Sequence, residues 1–246
     1  MNSLARLMRI LDQFEAAPGI LTADQLHERL GYSRSTLYRY LKALSDNGFI
    51  VSLHGNGFSL GPRIIELCSA LTARDPLILS STPVMQDLAR EFKGMVSLHR
   101  RFRERVVCVH RTADAVFAKG FDHAGRVLSL TDGAAGRVVL AHLCSASVRK
   151  LYQARPHSFD AAGLGSGLPA VRQTLRQIRD RGYDVDWCHD ADGPVMVAAP
   201  ILDQTAVGIG SLCLTMPSHE ISGDRILGVA EQVIDCTEVI GYALNG

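Results

Sequence analysis

The sequence predicts two domains of different class: an α-rich unit closed by a β-hairpin over residues 1–61, and a larger α/β unit over residues 76–246, joined by a helix over 62–75. Three observations carry this. The chain has 246 residues, longer than the about 100–150 typical of one domain. Apolar residues recur at helical spacing up to Gly48, and strand-like alternation follows at once. Beyond residue 76 short apolar strands interleave with amphipathic helices, the pattern of an α/β or α+β layer.

Leu4, Leu7, Met8, Leu11 and Phe14 mark the first helix, and Pro18-Gly19 stops it. Thr22 is placed to cap a short second helix that turns Ala23, Leu26 and Leu30 inward, with Gly31 at its C′ position. Ser33 is the N-cap of a third helix, "SRSTLYRYLKALSDNG". Two helices joined by a three-residue turn form a helix-turn-helix. "FIVSLHGNGFSLG" then alternates around His54-Gly55-Asn56-Gly57 as a hairpin, which makes the unit a winged helix-turn-helix.

At 100° per residue, Leu37, Tyr40, Leu41 and Leu44 of the third helix face inward. Ser35, Arg39 and Lys42 face the other way, flanked by Arg34, Thr36 and Tyr38, while Ser33 stands at the helix N-terminus. Hydroxyls and guanidinium groups on one exposed face suit a DNA major groove, and the helix N-terminus suits a phosphate. His54 and Asn56 of the wing would reach the backbone or minor groove. By itself such a helix also reads as an ordinary amphipathic helix with a solvated polar face; the hairpin that follows favours the DNA reading. With a net charge of +1, basic residues serve DNA by placement and not in bulk.

The leading Ser-Leu-x-Arg, the Ser-Thr-x-Tyr-Arg of the third helix and the Leu-Gly-Pro-Arg after the wing resemble the DNA-binding domain of IclR-type transcriptional regulators. In that family the linker helix, here "RIIELCSALTAR" up to Asp75-Pro76, helps to join two subunits. The resemblance implies a homodimer or dimer of dimers on a palindromic double-stranded operator.

In the larger unit, "VMQDLAREFKG" reads as a helix and "MVSLHR" and "RVVCVHR" as antiparallel strands turning at Arg103-Glu104. "GAAGRVVLAHL" and "SASVRKLYQAR" read as helices, the second capped by Ser145, and residues 157–168 as a mobile loop. "LPAVRQTLRQIRDRG" is a helix, "PVMVAAPILD" and "AVGIGSLCLTM" are the most buried strands, and residues 224–244 form a closing helix. "RGYDVD…G…VAAPILD…GSLCL" is similar to the GAF-like effector-binding domain of the same regulators. Carried over, the ligand pocket would be walled by Leu128, Ala134, Ala135, Asp186, Met196, Ser211 and Cys213. Family members bind small organic acids, aromatic or glyoxylate-like. Here Met196 stands for a usual cysteine, Cys213 for a serine and Thr131-Asp132 for a usual histidine; Cys188-His189 occupy the span of a glutamate pair. These softer, less polar walls favour an aromatic or larger apolar acid over glyoxylate.

Trp187-Cys188-His189-Asp190 also invites a catalytic or metal reading. Adjacent residues on an extended segment point to opposite faces, so His189 is badly placed to deprotonate Cys188. Cys108 and His110 share a strand face, but the six cysteines show no short repeated ligand spacing. The Gly-rich "GLGSG" lacks the Lys-Ser/Thr of a phosphate loop. The expectation is a regulator and not an enzyme, with no metal and no cofactor. A small-molecule-binding or catalytic α/β module with an N-terminal protein-interaction domain is the alternative. Scattered cysteines suit reduced thiols in a cytoplasmic protein, and neither a secretory signal nor a membrane-length apolar run is seen.

Overall fold

The computed structural model describes residues 3–16, 19–53, 57–113, 124–187, 193–218, 221 and 223–245. The chain divides into two compact units, Met1–Ala73 and Arg74–Gly246.

In the first unit, helices α1 (Ser3–Ala16), α2 (Ala23–Leu30) and α3 (Arg34–Asp46) precede a hairpin of β1 (Ile50–Leu53) and β2 (Gly57–Leu60), and α4 (Pro62–Arg74) follows. Thr22 and Gln25 form a capping box: Thr22 Oγ1 accepts from the Gln25 amide at 3.2 Å, and Gln25 Oε1 accepts from the Thr22 amide at 2.9 Å. Gly31 closes α2 in the left-handed region at φ +66°, and Ser33 caps α3. The core gathers Ile10, Leu26, Leu37, Leu41 and Ile50. Leu21 exchanges two backbone hydrogen bonds with Phe58, so the hairpin is stitched to the α1–α2 connection. Helix α4 has no buried residue, and Ile65, Leu67 and Leu71 lie exposed on it.

The second unit is built on a six-stranded antiparallel sheet in the order β5-β4-β3-β8-β7-β6. Its strands are β3 (Met95–Phe102), β4 (Arg105–Ala113), β5 (Val127–Ser129), β6 (Asp184–Trp187), β7 (Pro194–Leu202) and β8 (Gly208–Pro217). One face, with Val96, Leu98, Val197, Leu212 and Leu214, packs on α5 (Pro76–Glu91) and α10 (Ile226–Asn245). The other packs on α6 (Gly133–Ala141), beside which lie α7 (Ser145–Ala154), α8 (Pro156–Ala161) and α9 (Leu168–Arg181). Apolar residues at strand period two, on strands buried from both sides, explain the near-continuous apolar runs in β7 and β8.

Several elements depart from the sequence expectation. Helix α5 starts at Pro76 and runs through Pro83, because Pro76 fits the first helical position and Asp75 Oδ1 accepts from the Leu77 amide at 2.9 Å. Residues 156–161 form α8 and not a mobile loop: Phe159 and Leu164 are buried and anchor the segment. Cys144, not Ser145, holds the N-cap position of α7, with no side-chain capping bond. Strand β5 is short and shows no alternation long enough to recognise.

Replacing Thr22 by Ala removes one half of the capping box and should cost about 1 kcal/mol. Amide hydrogen exchange across α2 in the full chain should then speed up about fivefold; unchanged exchange would show that the cap does not hold this helix.

Candidate functional site

Helix α3 presents two faces. Leu37, Tyr40, Leu41 and Leu44 are buried, whereas Ser33, Arg34, Ser35, Tyr38, Arg39 and Lys42 are exposed and Thr36 is partly so. The N-terminal hydroxyls are mutually ordered: Ser33 Oγ donates to Thr36 Oγ1 at 2.9 Å and accepts from the Thr36 amide at 3.4 Å. Arg34 reaches Asp24 of α2 at 2.8 Å in an exposed ion pair, weak enough to be exchanged for a phosphate. The Arg39 guanidinium lies 5.3 Å from the Tyr40 ring centroid, which orients it without neutralising it. Ser3 Oγ and Tyr40 Oη lie 3.0 Å apart and fasten α1 to α3; this hydrogen bond is the main cause that lowers the Tyr40 phenol below its ordinary range. His54 and Asn56, expected in the wing, lie outside the described residues.

The second unit contains a cavity of about 170 Å³ between the sheet and the N-terminus of α6. Its floor is set by cross-strand register. Asp186, Met196, Thr215 and Met95 form one row across β6, β7, β8 and β3, and Cys213 and Ser97 stand opposite each other in the next. His99 completes the β3 side, and Asp132, Gly133, Ala134 and Ala135 form the roof. Arg126 and Leu128 close one flank. Ser97 is buried on the same strand face as Met95 and His99, and its hydroxyl has no hydrogen-bond partner among the described residues. An orphaned buried hydroxyl costs about 1–3 kcal/mol unless something meets it.

Helix α6 is held over this floor by two close contacts. Ser211 Oγ donates to the Ala135 carbonyl at 2.8 Å. Gly136 lets the helix touch β5, since a Cβ there would fall 2.5 Å from the Ser129 carbonyl oxygen. Arg137, one residue further, is nearly buried; its Nε donates to Asp184 Oδ2 at 2.5 Å and its Nη2 to the Val185 carbonyl at 3.2 Å. Burial works against the charge on Arg137, but the Asp184 bond and the nearby Asp184 and Asp186 carboxylates outweigh it, and the net effect raises its pKa. Arg181 binds the other oxygen of Asp184. Asp186 is only loosely engaged, 3.5 Å from Arg137 Nη2, and so keeps acceptor capacity on the cavity side.

Leu128, Ala134, Ala135, Asp186, Met196 and Cys213 thus line one cavity. Ser211 does not: it is fully buried and bonded to the helix it supports. Among the cavity-lining residues, sequence reasoning did not assign Met95, His99, Arg126, Gly133 or Thr215 to the pocket. Period-two alternation along β3, and along β8 from Cys213 to Thr215, was the signal that could have found Met95, His99 and Thr215; Arg126 follows a turn and has no such mark. Cys188 and His189 lie outside the described residues. Among the described residues no group of three or more His, Cys, Asp or Glu side chains is arranged to hold a metal ion, and no helix is long and apolar enough to cross a membrane.

A three-helix unit with a hairpin and an exposed basic face on its third helix, followed by an α/β unit with a cavity, defines a helix-turn-helix transcriptional regulator. The IclR helix-turn-helix domain matches residues 3–54, and the family described as bacterial transcriptional regulator IclR C-terminal matches residues 69–242. The chain belongs to the IclR family of DNA-binding transcriptional regulators. Among its relatives are the regulators XynR, 24% identical over 100% of this chain and 98% of its own, and KdgR, 24% identical over 82% and 77%, both of Escherichia coli. Similar solved structures include an IclR regulator from Alicyclobacillus acidocaldarius (TM-score 0.79, 20% identity, 98% of both chains). Another is an IclR homologue from Microbacterium hydrocarbonoxydans complexed with 4-hydroxybenzoate (TM-score 0.78, 19% identity, 99% of both chains).

The ion-pair geometry separates support from lining. Arg137→Gln leaves Asp184 with Arg181 alone and should destabilise the second unit by about 2–4 kcal/mol, read as a lower thermal midpoint. Asp186→Asn should stay within about 0.5 kcal/mol of wild type. Equal losses in the two variants would show that Asp186 is structural.

Proposed function

We propose that this protein is a ligand-responsive regulator that binds a palindromic operator as a homodimer or dimer of dimers, in the cytoplasm, and that its cavity takes a small aromatic carboxylic acid. The cavity carries the second half of this reading. Its volume of about 170 Å³ matches a single ring, since engineered cavities of about 150 Å³ accept benzene. Met95, Met196 and Cys213 offer soft, polarisable contacts to a flat ring. Arg126 offers a guanidinium for a carboxylate, while Asp186 and Asp132 offer acceptors for a second polar group on the ligand. A bipolar ligand of the hydroxybenzoate class satisfies both ends, whereas a bare keto acid leaves the apolar walls uncovered. The 4-hydroxybenzoate in the Microbacterium homologue supports the class.

The cycle needs no bond chemistry. Two copies of α3 would occupy successive major grooves, with half-sites about one helical turn or a multiple apart. Exposed Leu4 and Met8 on α1 and Ile65, Leu67 and Leu71 on α4 support self-association. Ligand shifts the dimer between arrangements only as far as it prefers one of them. Helix α4, which connects the two units in the chain, is the element we assign to carry that shift.

Arg39→Ala should abolish retention of a specific operator fragment while leaving the thermal midpoint nearly unchanged, because Arg39 is exposed and outside the Leu37–Leu41–Leu44 stripe. Wild-type retention by this variant would place the reading face elsewhere. Calorimetric titration with benzoate and 4-hydroxybenzoate should give saturable binding, tighter for the hydroxylated acid. A response to pyruvate or glyoxylate alone would refute the aromatic assignment.

A further inference from the structure

A second concave site lies at the end of the β3–β4 hairpin, beside β5. It has a volume of about 570 Å³, within the range of small-molecule pockets at about 300–1,000 Å³. Arg103, Arg105 and Arg155 line it, against one carboxylate, Glu104. Arg103 and Arg105 lie 5.3 Å and 5.7 Å from the ring centroid of Phe102, itself half exposed, so both guanidinium groups are held at the groove by one aromatic plane. Arg103 and Arg155 have no ion-pair partner among the described residues.

The hairpin turn is built against its own chemistry. A two-residue turn with positive φ at its first position alone favours Gly there, yet Arg103 occupies it at φ +57°. The contact with the Phe102 ring gives this side chain a place in the hairpin, but the turn backbone itself does not call for an arginine.

We infer that this groove binds a phosphorylated small molecule. A phosphate group carries close to two negative charges and three acceptor oxygens, which suits several guanidinium groups converging on one space; a monocarboxylate neutralises only one of them. The concave shape favours a small molecule over the backbone of duplex DNA. The site is separate from the cavity of the proposed function, but the two share a strand: Val127 and Ser129 line the groove, while Leu128 between them lines the cavity. A ligand that steadies β5 therefore acts on a wall of the other site.

The test uses the full-length protein and inorganic pyrophosphate, titrated calorimetrically at constant ionic strength, with sulfate and a duplex of unrelated sequence in parallel. Saturable pyrophosphate binding is expected, tighter than sulfate, with slowed amide exchange at residues 102–105 and 127–129. In R103G/R155Q binding should weaken roughly tenfold or more, the loss expected of charged hydrogen bonds. Gly is at home at a positive-φ turn position, so the variant should fold at least as well as wild type, checked by its thermal midpoint. Unchanged affinity in that variant, or protection elsewhere in the chain, overturns the proposal. So does binding of the duplex through these arginines without binding of pyrophosphate. None of these outcomes depends on operator binding or on the acid that fills the cavity.

Discussion

How closely α6 can lie on the sheet governs the second unit. A side chain at position 136 would meet the Ser129 carbonyl, and the Ser211 hydroxyl reaches the Ala135 carbonyl across the same gap. Together these contacts place the start of the helix directly above the Asp186–Met196–Thr215–Met95 row. The far end of α6 is tied as well: Arg179 of α9 donates through Nε and Nη2 to the Ala141 carbonyl, satisfying a group that the helix terminus leaves open. Pinned at both ends, α6 cannot settle further to fill the space beneath its first turn. The void therefore follows from side-chain hydrogen bonds that hold the helix backbone at both ends, and not from missing side-chain volume.

Charge follows the same division. Asp184 is buried, bonded to both Arg137 and Arg181, and belongs to the frame. Two residues along the same strand face, Asp186 is one-third exposed and loosely held. Period two on β6 puts both carboxylates on the helix-covered side, and one register step separates an acid that stabilises from one that is available to a partner.

Much of this was legible in the sequence. The helix-turn-helix announces itself because each boundary has a chemical mark: Thr22 with Gln25, Gly31 in the left-handed region, Ser33 before a leucine stripe. The inward and outward faces of α3 follow from periodicity alone. Six of the seven expected cavity residues line one space; that expectation comes from the resemblance to IclR-type effector-binding domains, which carries the pocket positions over as a set. Pairing itself was not legible. That Ser97 faces Cys213, or that Arg126 arrives beside Leu128, depends on contacts between segments far apart in the chain. Helix α8 was missed for a local reason: six residues are too few for a periodic signal, and the neighbouring glycines drew the reading toward a loop.

Helix α4 deserves a different thought from the one its apolar residues first suggest. Thirteen residues are near the length at which an isolated helix is marginal in water, and no side chain of α4 is buried in a single copy of the chain. Such a segment draws its order from whatever it packs against. If that partner is another copy, becoming helical and becoming a dimer are one equilibrium, governed by the abundance of the protein in the cell. The connection between the two units would then stiffen only as the protein accumulates, giving the regulator a sense of its own dose before any small molecule arrives.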